Sequence, residues 1–248
     1  MIGHSIASIS RAVLDLFYPP VCPGCGADCS EESDPICSEC WHRLVYLRGP
    51  FCRTCGHPTT EIHGPALCDN CPVPQPAFDR CRSVVHYCEI MKRITHAYKF
   101  GGRRCLAKPL SRLLFWGYQR YYAGERFDAV VPVPLHSARL REREFNQAAE
   151  MLLHLKEKAG FEVEESIVRR IRPTEPQSLM TGMERHANVA GAFEIVNASK
   201  VRGRRFLVVD DVLTTGNTVS EVARVLKNGG AQFVAVLTVA RASANHPS

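Results

Sequence analysis

Asp210 and Asp211 stand side by side at the end of an apolar run, and Thr214, Thr215, Gly216, Asn217 and Thr218 follow almost at once. Paired carboxylates can accept hydrogen bonds from adjacent hydroxyls. A Thr- and Gly-rich loop that opens a helix offers hydroxyls and backbone N–H groups to an anion. Together they describe a site for a sugar phosphate, with the acids on the hydroxyls and the loop on the phosphate. A solvated Asp-Asp turn with an ordinary helix cap is the competing reading. A second chemistry lies upstream. Cys22/Cys25, Cys37/Cys40, Cys52/Cys55 and Cys68/Cys71 form four C-x-x-C elements. Each such turn can aim two sulfurs at one point, and two turns complete the four-thiolate shell that Zn²⁺ prefers. The gaps of 11 and 12 residues within the two sets are shorter than usual zinc-ribbon spacing, yet suit two sequential sites, hence up to two structural Zn²⁺. Interleaved pairing is the alternative. Disulfides are the competing use, disfavoured by the lack of a secretory signal. Cys29, Cys81, Cys88 and Cys105 remain as small buried or half-buried residues.

The elements that must position these groups can be read from the apolar pattern. Phe206 to Val209 is a short β-branched-rich run, suited to a strand buried on both faces of a parallel sheet. Ligands of open α/β sheets sit beyond the carboxyl ends of such strands, where Asp210 and Asp211 fall. Val219, Val222, Ala223 and Leu226 then recur at helical spacing until Gly229 and Gly230. Asp128 to Pro134 predicts a second buried strand running into a proline-stiffened turn. Arg139, Arg141 and Arg143 follow, so Val133, Pro134 and Leu135 with Arg141 and Arg143 suit a second anion, since guanidinium binds phosphate oxygens bidentately. The competing reading is a solvated loop.

Ser83 to Tyr87 and Gln232 to Ala240 predict further strands. Ile90, Ile94, Ala97 and Tyr98 predict the inward face of a helix, as do Leu106, Leu110, Leu113 and Leu114, and a later helix contains Phe145, Ala148, Ala149, Leu152 and Leu153. The expected fold class is α/β: a parallel sheet flanked by helices, preceded by a small four-cysteine zinc-ribbon module. Expected boundaries are an N-terminal amphipathic helix in residues 1–20, the double ribbon in 21–76 and the α/β domain in 77–248. Pro72, Pro74 and Pro76 form the connection. Residues 169–193 hold few apolar anchors and predict a lid near the site.

Composition bounds the function classes. With 45% hydrophobic and 23% charged residues, the 248-residue chain is not of a disordered type, and no apolar run is long enough to span a bilayer. The first twenty residues lack a basic leader and cleavage site, which predicts a cytoplasmic protein. Residues 1–80 carry 5 Lys/Arg against 9 Asp/Glu, and residues 81–248 carry 26 against 16. The basic character belongs to the later part and points to phosphate-bearing partners there.

The stretch FLVVDDVLTTGNT, Phe206 to Thr218, resembles the PRPP (5-phosphoribosyl 1-diphosphate) motif of type I phosphoribosyltransferases. The resemblance implies that Asp210 and Asp211 hold the ribose 2′ and 3′ hydroxyls and Thr214 to Thr218 the 5′-phosphate. It also implies that Mg²⁺ accompanies PRPP, and that the Val131 to Leu135 turn with nearby arginines takes the departing diphosphate. The order of double cysteine ribbon, Tyr98 to Gly102 (YKFGG), Val131 to Leu135 (VPVPL), Arg141 to Gln147, Thr174 to Gln177, Arg185 to Asn188 and the acidic motif resembles the ComF family of competence-associated proteins. That family implies a link to DNA uptake, natural transformation or the use of external DNA. Its R-x-R-G-F-N-Q segment usually has glycine where Glu144 stands here, and an acid pointing inward would weaken anion binding. Enzymatic transfer to an unidentified nitrogen nucleophile competes with a non-catalytic PRPP- or nucleotide-binding adaptor that binds single-stranded DNA or the uptake machinery. For such a DNA role, Tyr98 and Phe100 are candidate stacking residues.

Overall fold

The computed structural model describes residues 21–29, 34–60, 68–72, 74–159, 162–173 and 188–242. The N-terminal amphipathic helix, Thr174 to Gln177 and most of the predicted lid lie outside the described residues.

The chain's longest β-branched runs become the centre of the sheet. Strands β1 (Arg80–His86), β2 (Ala129–Pro132), β5 (Arg205–Leu213) and β6 (Phe233–Arg241) form one sheet in the order β1-β6-β5-β2, all parallel. Phe206, Leu207, Val208 and Val209 are fully buried because β5 is an inner strand with both faces covered. Alternation divides them. Leu207 and Val209 join a core with helices α2 (Glu89–Phe100), α3 (Ala107–Tyr122) and α5 (Gln147–Ala159), through Met91, Ile94, Leu110, Leu114, Met151 and Leu152. Phe206 and Val208 face the other side, against Val219, Val222 and Leu226 of α6 (Asn217–Asn228). A short hairpin of β3 (Val168–Arg170) and β4 (Phe193–Ile195) packs on that second core.

The predicted strands and helices are present with shifted ends. The largest shift concerns the arginine segment after β2. Instead of an extended loop it forms a short helix, α4 (Ser137–Arg143), whose N-terminus is capped by His136 Nδ1 accepting from the Ala138 N–H at 3.3 Å. The helix that was expected to include Phe145 begins two residues later, at Gln147.

Both sheet edges are covered. Leu47 N–H donates to Val84 C=O at 2.9 Å and His86 N–H to Val45 C=O at 2.8 Å, so the segment between the two cysteine sets lies antiparallel to edge strand β1. On the other edge, Val130 bridges Val163. The ribbon half therefore shares the core of the α/β half: Cys22, Cys29, Ile36, Cys40 of the short helix α1 (Ser38–His42) and Leu44 belong to the same cluster as α2 and α3. Among the described residues, no helix is long and apolar enough to cross a membrane.

Candidate functional site

The eight C-x-x-C thiols gather into two sequential sets, Cys22/Cys25/Cys37/Cys40 and Cys52/Cys55/Cys68/Cys71, with all ligand atoms of a set within 4.8 Å. Interleaved pairing is thereby excluded. The Cys25–Cys37, Cys52–Cys71, Cys55–Cys68 and Cys68–Cys71 Sγ separations are 3.7, 3.7, 3.6 and 3.9 Å. A Zn–S bond of about 2.3 Å makes the edge of a regular tetrahedron about 3.8 Å, so the donor set fits Zn²⁺ and is far from disulfide length. Burial pushes the Cys22 and Cys52 thiols up, but backbone hydrogen bonds outweigh it (Cys37, Gly24 and Cys25 around Cys22; Cys55 and Thr54 around Cys52) and bring both to about 7. Burial pushes the Cys40 and Cys55 thiols of the same sets up, so without metal each set holds thiols beside its readily formed thiolate, and a bound metal releases the remaining protons. Gly24 lets the first site sit against α2, since a Cβ there would lie 2.8 Å from Cys40 Sγ and 3.1 Å from Ile90.

The acidic pair sits at the carboxyl end of β5. Its two members differ. Asp211 is buried, with Oδ1 accepting from Val212 N–H at 2.8 Å and Oδ2 lying 2.7 Å from Lys99 Nζ. Burial disfavours the Lys99 charge, yet Asp211 and then Asp210 outweigh it and hold its pKa above the ordinary value. Asp210 is only partly buried as a residue, but its carboxyl is pushed up to about 7, first by desolvation and then by the Asp211 charge. It accepts from the Asp211 N–H at 2.9 Å.

The following loop turns through Gly216, whose φ of 79° is left-handed and favours glycine, into the start of α6. Thr214 is exposed, Thr215 and Thr218 are half-buried, and Asn217 is buried. Thr215 Oγ1 is buried with no hydrogen-bond partner. A buried hydroxyl beside helix-start N–H groups is suited to an anion.

Across the crevice, the Val133 to Leu135 turn is anchored by its first residue. Val133 donates N–H to Val209 C=O at 2.9 Å and accepts from Asn146 Nδ2 at 3.0 Å, so its backbone is committed to the fold and Pro134 and Leu135 form the open part of the turn. Asn146 Oδ1 accepts from Ala148 N–H at 3.0 Å, which caps α5. Arg143 is brought inward: it donates to Gln147 Oε1 at 3.0 Å, stacks 4.8 Å from the Phe100 centroid, and leaves its buried Nε without a partner. Arg141 remains exposed on α4. Arg170 of β3 joins Arg143. Burial lowers both pKa values and Arg139 lowers both further, while Asp210 partly offsets this at both and Asp211 at Arg143. Such a crowded cationic group is relieved by an incoming anion.

Two corrections follow. Tyr98 is fully buried and its hydroxyl donates to Gln147 C=O at 2.9 Å, so it is not available for stacking; Phe100, 53% exposed, is. Glu144 does not point inward. It is exposed and ends α4 at a φ of 66°. A left-handed non-glycine residue costs about 1–2 kcal/mol, which accounts for the glycine expected there. Glu144→Gly is expected to raise stability by about 1 kcal/mol, seen as a higher urea midpoint at unchanged slope. A lower midpoint would mean that the glutamate side chain contributes more than its backbone costs. Lys99 and Arg170 were missed as site residues. The Tyr98 to Gly102 motif contained the first without revealing its partner, and no local pattern marked the second.

Residues 111–247 match the phosphoribosyl transferase domain and residues 13–72 the double zinc ribbon domain. The chain belongs to the phosphoribosyl transferase family. It also carries the double zinc ribbon, and its relatives include competence and DNA-utilization proteins. "Competence protein F" of Haemophilus influenzae is 28% identical over 94% of this chain and 95% of its own length. "DNA utilization protein YhgH" of Escherichia coli is 33% identical over 70% of this chain and 77% of its own. Among solved structures, the glutamine PRPP amidotransferase from B. subtilis overlaps 58% of this chain and 30% of that one at 17% identity, with a TM-score of 0.40.

Proposed function

We propose that the crevice beyond the carboxyl ends of β5 and β2 binds PRPP, in a protein that serves DNA uptake, natural transformation or the use of external DNA. The observation that carries the ligand is the arrangement at the end of β5, where Asp210 stands beside a left-handed helix start holding an unpartnered Thr215 hydroxyl. Asp210 and Asp211 take the ribose hydroxyls, and Thr214 to Thr218 the 5′-phosphate. Pro134 and Leu135, with Arg143 and Arg170, take the diphosphate. Mg²⁺ arriving with the diphosphate supplies charge neutralisation, in keeping with its usual retention by phosphates plus one or two carboxylates. Lys99 pairs with Asp211 and orients its carboxylate. Once ionised, Asp210 stabilises positive charge that develops on the ribose as the diphosphate leaves. The biological setting rests on the printed names of the competence and DNA-utilization relatives.

Calorimetric titration of the intact protein with PRPP and Mg²⁺ is expected to give saturable binding. Losing charged hydrogen bonds in the Asp210→Asn, Asp211→Asn double variant is expected to weaken it about tenfold or more. Asp210→Asn alone, which keeps the Lys99–Asp211 pair, separates loss of ligand contacts from loss of structure. No binding by the wild type, or undiminished binding by the double variant, would sink the assignment. Diphosphate release across a panel of bases and amines then separates a transferase from a module that holds PRPP without turnover.

A further inference from the structure

Ile2, Ile6, Ile9, Val13 and Leu16 follow one another at intervals of four, three, four and three, so on a helix they form one apolar stripe. His4, Ser8, Arg11 and Asp15 repeat the same intervals on the opposite side. Such a stripe needs a surface to cover it. Residues 1–20 lie outside the described residues, and Val21 marks where the segment joins the fold. Val21 C=O accepts from Arg103 at 2.7 Å. The next residue, Arg104, pairs with Glu150 of α5 at 2.8 Å and lies 5.2 Å over the Phe145 ring.

Glu150 and Phe145 line a groove of about 590 Å³ between α4, α5 and the β3–β4 hairpin. Its apolar lining includes Leu135, Leu140, Ala149, Leu153, Val168 and Val196. Leu140, Leu153 and Val196 are 42%, 51% and 54% exposed, although they come from three separate segments that meet here. The segment ahead of Val21 thus joins the fold beside an aliphatic surface that nothing among the described residues covers.

We infer that residues 2–17 of this chain dock as a helix in this groove, with the Ile/Val/Leu stripe laid on Leu140, Leu153 and Val196. The mode is that of an amphipathic helix in an apolar groove, here supplied by the same chain. Sixteen helical residues extend about 24 Å. Tyr18, Pro19 and Pro20 add a stiff connection of about 3 Å per residue, which suits the short path from Val21 past Arg103 and Arg104. The tether raises the local concentration of the segment to the millimolar order, which favours its own groove over that of a second copy. The other exposed apolar surface, around Tyr46 and Trp116, is aromatic and includes His42, Arg48 and His86, a poorer match for an aliphatic stripe. Pro134 and Arg170 also border the groove, but the readouts below are the protein's own amides, so the inference stands or falls without the PRPP reading.

The test is hydrogen exchange on the intact protein without ligand. Amides of residues 2–17 are expected to be protected in the wild type. Leu153→Asp, and separately Leu140→Asp, is expected to speed their exchange about tenfold or more, the factor for losing burial of an aliphatic side chain. Both positions are exposed, so the rest of the fold survives either change. Ile6→Asp with Val13→Asp in the segment is expected to speed exchange in α4 and around Val196 in return. Val45→Asp on the β1 edge, 47% exposed, is expected to leave residues 2–17 protected. Exchange of residues 2–17 at the rate of an unstructured chain in the wild type would overturn the inference. So would release of the segment by Val45→Asp and not by Leu153→Asp or Leu140→Asp, or protection that fades on dilution together with a fall in sedimenting mass, which would assign the groove to a second copy.

Discussion

Serine at Cys40 is expected to destabilise the whole protein and not only its ribbon, with a fall in melting temperature of about 6 °C or more. Cys40 is fully buried, completes the first four-thiol set, and belongs to the same core cluster as Ile94, Tyr98 and Leu114. Structural zinc supplies folding free energy on the order of 10 kcal/mol to small ribbons, so losing one ligand costs at least about 3 kcal/mol. For a domain of this size that shifts the midpoint by about 2–4 °C per kcal/mol. The damage spreads because the ribbon has little separate interior. Arg103 donates to Val21 C=O at 2.7 Å, and Arg112 pairs with Asp34 at 2.6 Å, so α3 and the start of the ribbon order one another. Thermal melting with hydrogen exchange checks this, using exposed Cys105→Ser as a control. Chelation or Cys40→Ser that leaves both the melting temperature and the protection of α2 and α3 intact would refute a metal contribution to the fold.

The second large effect has opposite signs for stability and binding. Asp210 has its folded pKa raised to about 7, well above that of an unfolded aspartate. Its contribution to stability is present below the unfolded value near pH 4 and is lost as pH rises through about 7, because ionisation is resisted only in the folded state. At pH 8 the wild type carries the full cost of that charge. Asp210→Asn is expected to raise stability at pH 8 by about 2 kcal/mol, with the gain fading towards pH 4, while PRPP affinity falls. Affinity of the wild type for PRPP is expected to rise between pH 6 and pH 8 as Asp210 ionises. Urea unfolding at the two ends of that range, with calorimetry alongside, reads both effects. A stability gain that does not change with pH, or a loss at pH 8, would contradict the assigned environment.

The features legible in the sequence were those written in neighbouring residues. Phe206 to Val209 had to be buried on both faces, and the acids after it had to fall at the sheet's carboxyl edge. The C-x-x-C turns announced their metal because two sulfurs per turn have few other uses. What escaped depends on contacts between distant segments. Lys99 acquires its meaning only when α2 lies beside β5, and Arg170 only when the β3–β4 hairpin faces Asp210. Tyr98 shows two signals in conflict. Its helical phase with Ile90 and Ile94 already pointed inward, whereas its place in an aromatic-basic motif suggested an exposed platform; apolar burial decided it. The requirement at residue 144 showed only through the glycine usual at that place in the family, because a backbone angle leaves no mark of its own when glutamate occupies the position.

The second ribbon also reaches the loop between β5 and α6. Arg241 at the end of β6 donates to Cys55 C=O at 2.7 Å, and a Cβ on Gly216 would lie 3.5 Å from Pro72, the residue after Cys71. Ala77 N–H, a little further along, donates to Ser220 of α6 at 3.0 Å. Two equilibria thus share one stretch of backbone. Thermodynamic reciprocity requires that any factor by which a filled loop alters the escape tendency of the metal at Cys52, Cys55, Cys68 and Cys71 be matched by the same factor acting in reverse. Scarcity of zinc in the cell would then be felt as a change in appetite for the phosphorylated sugar.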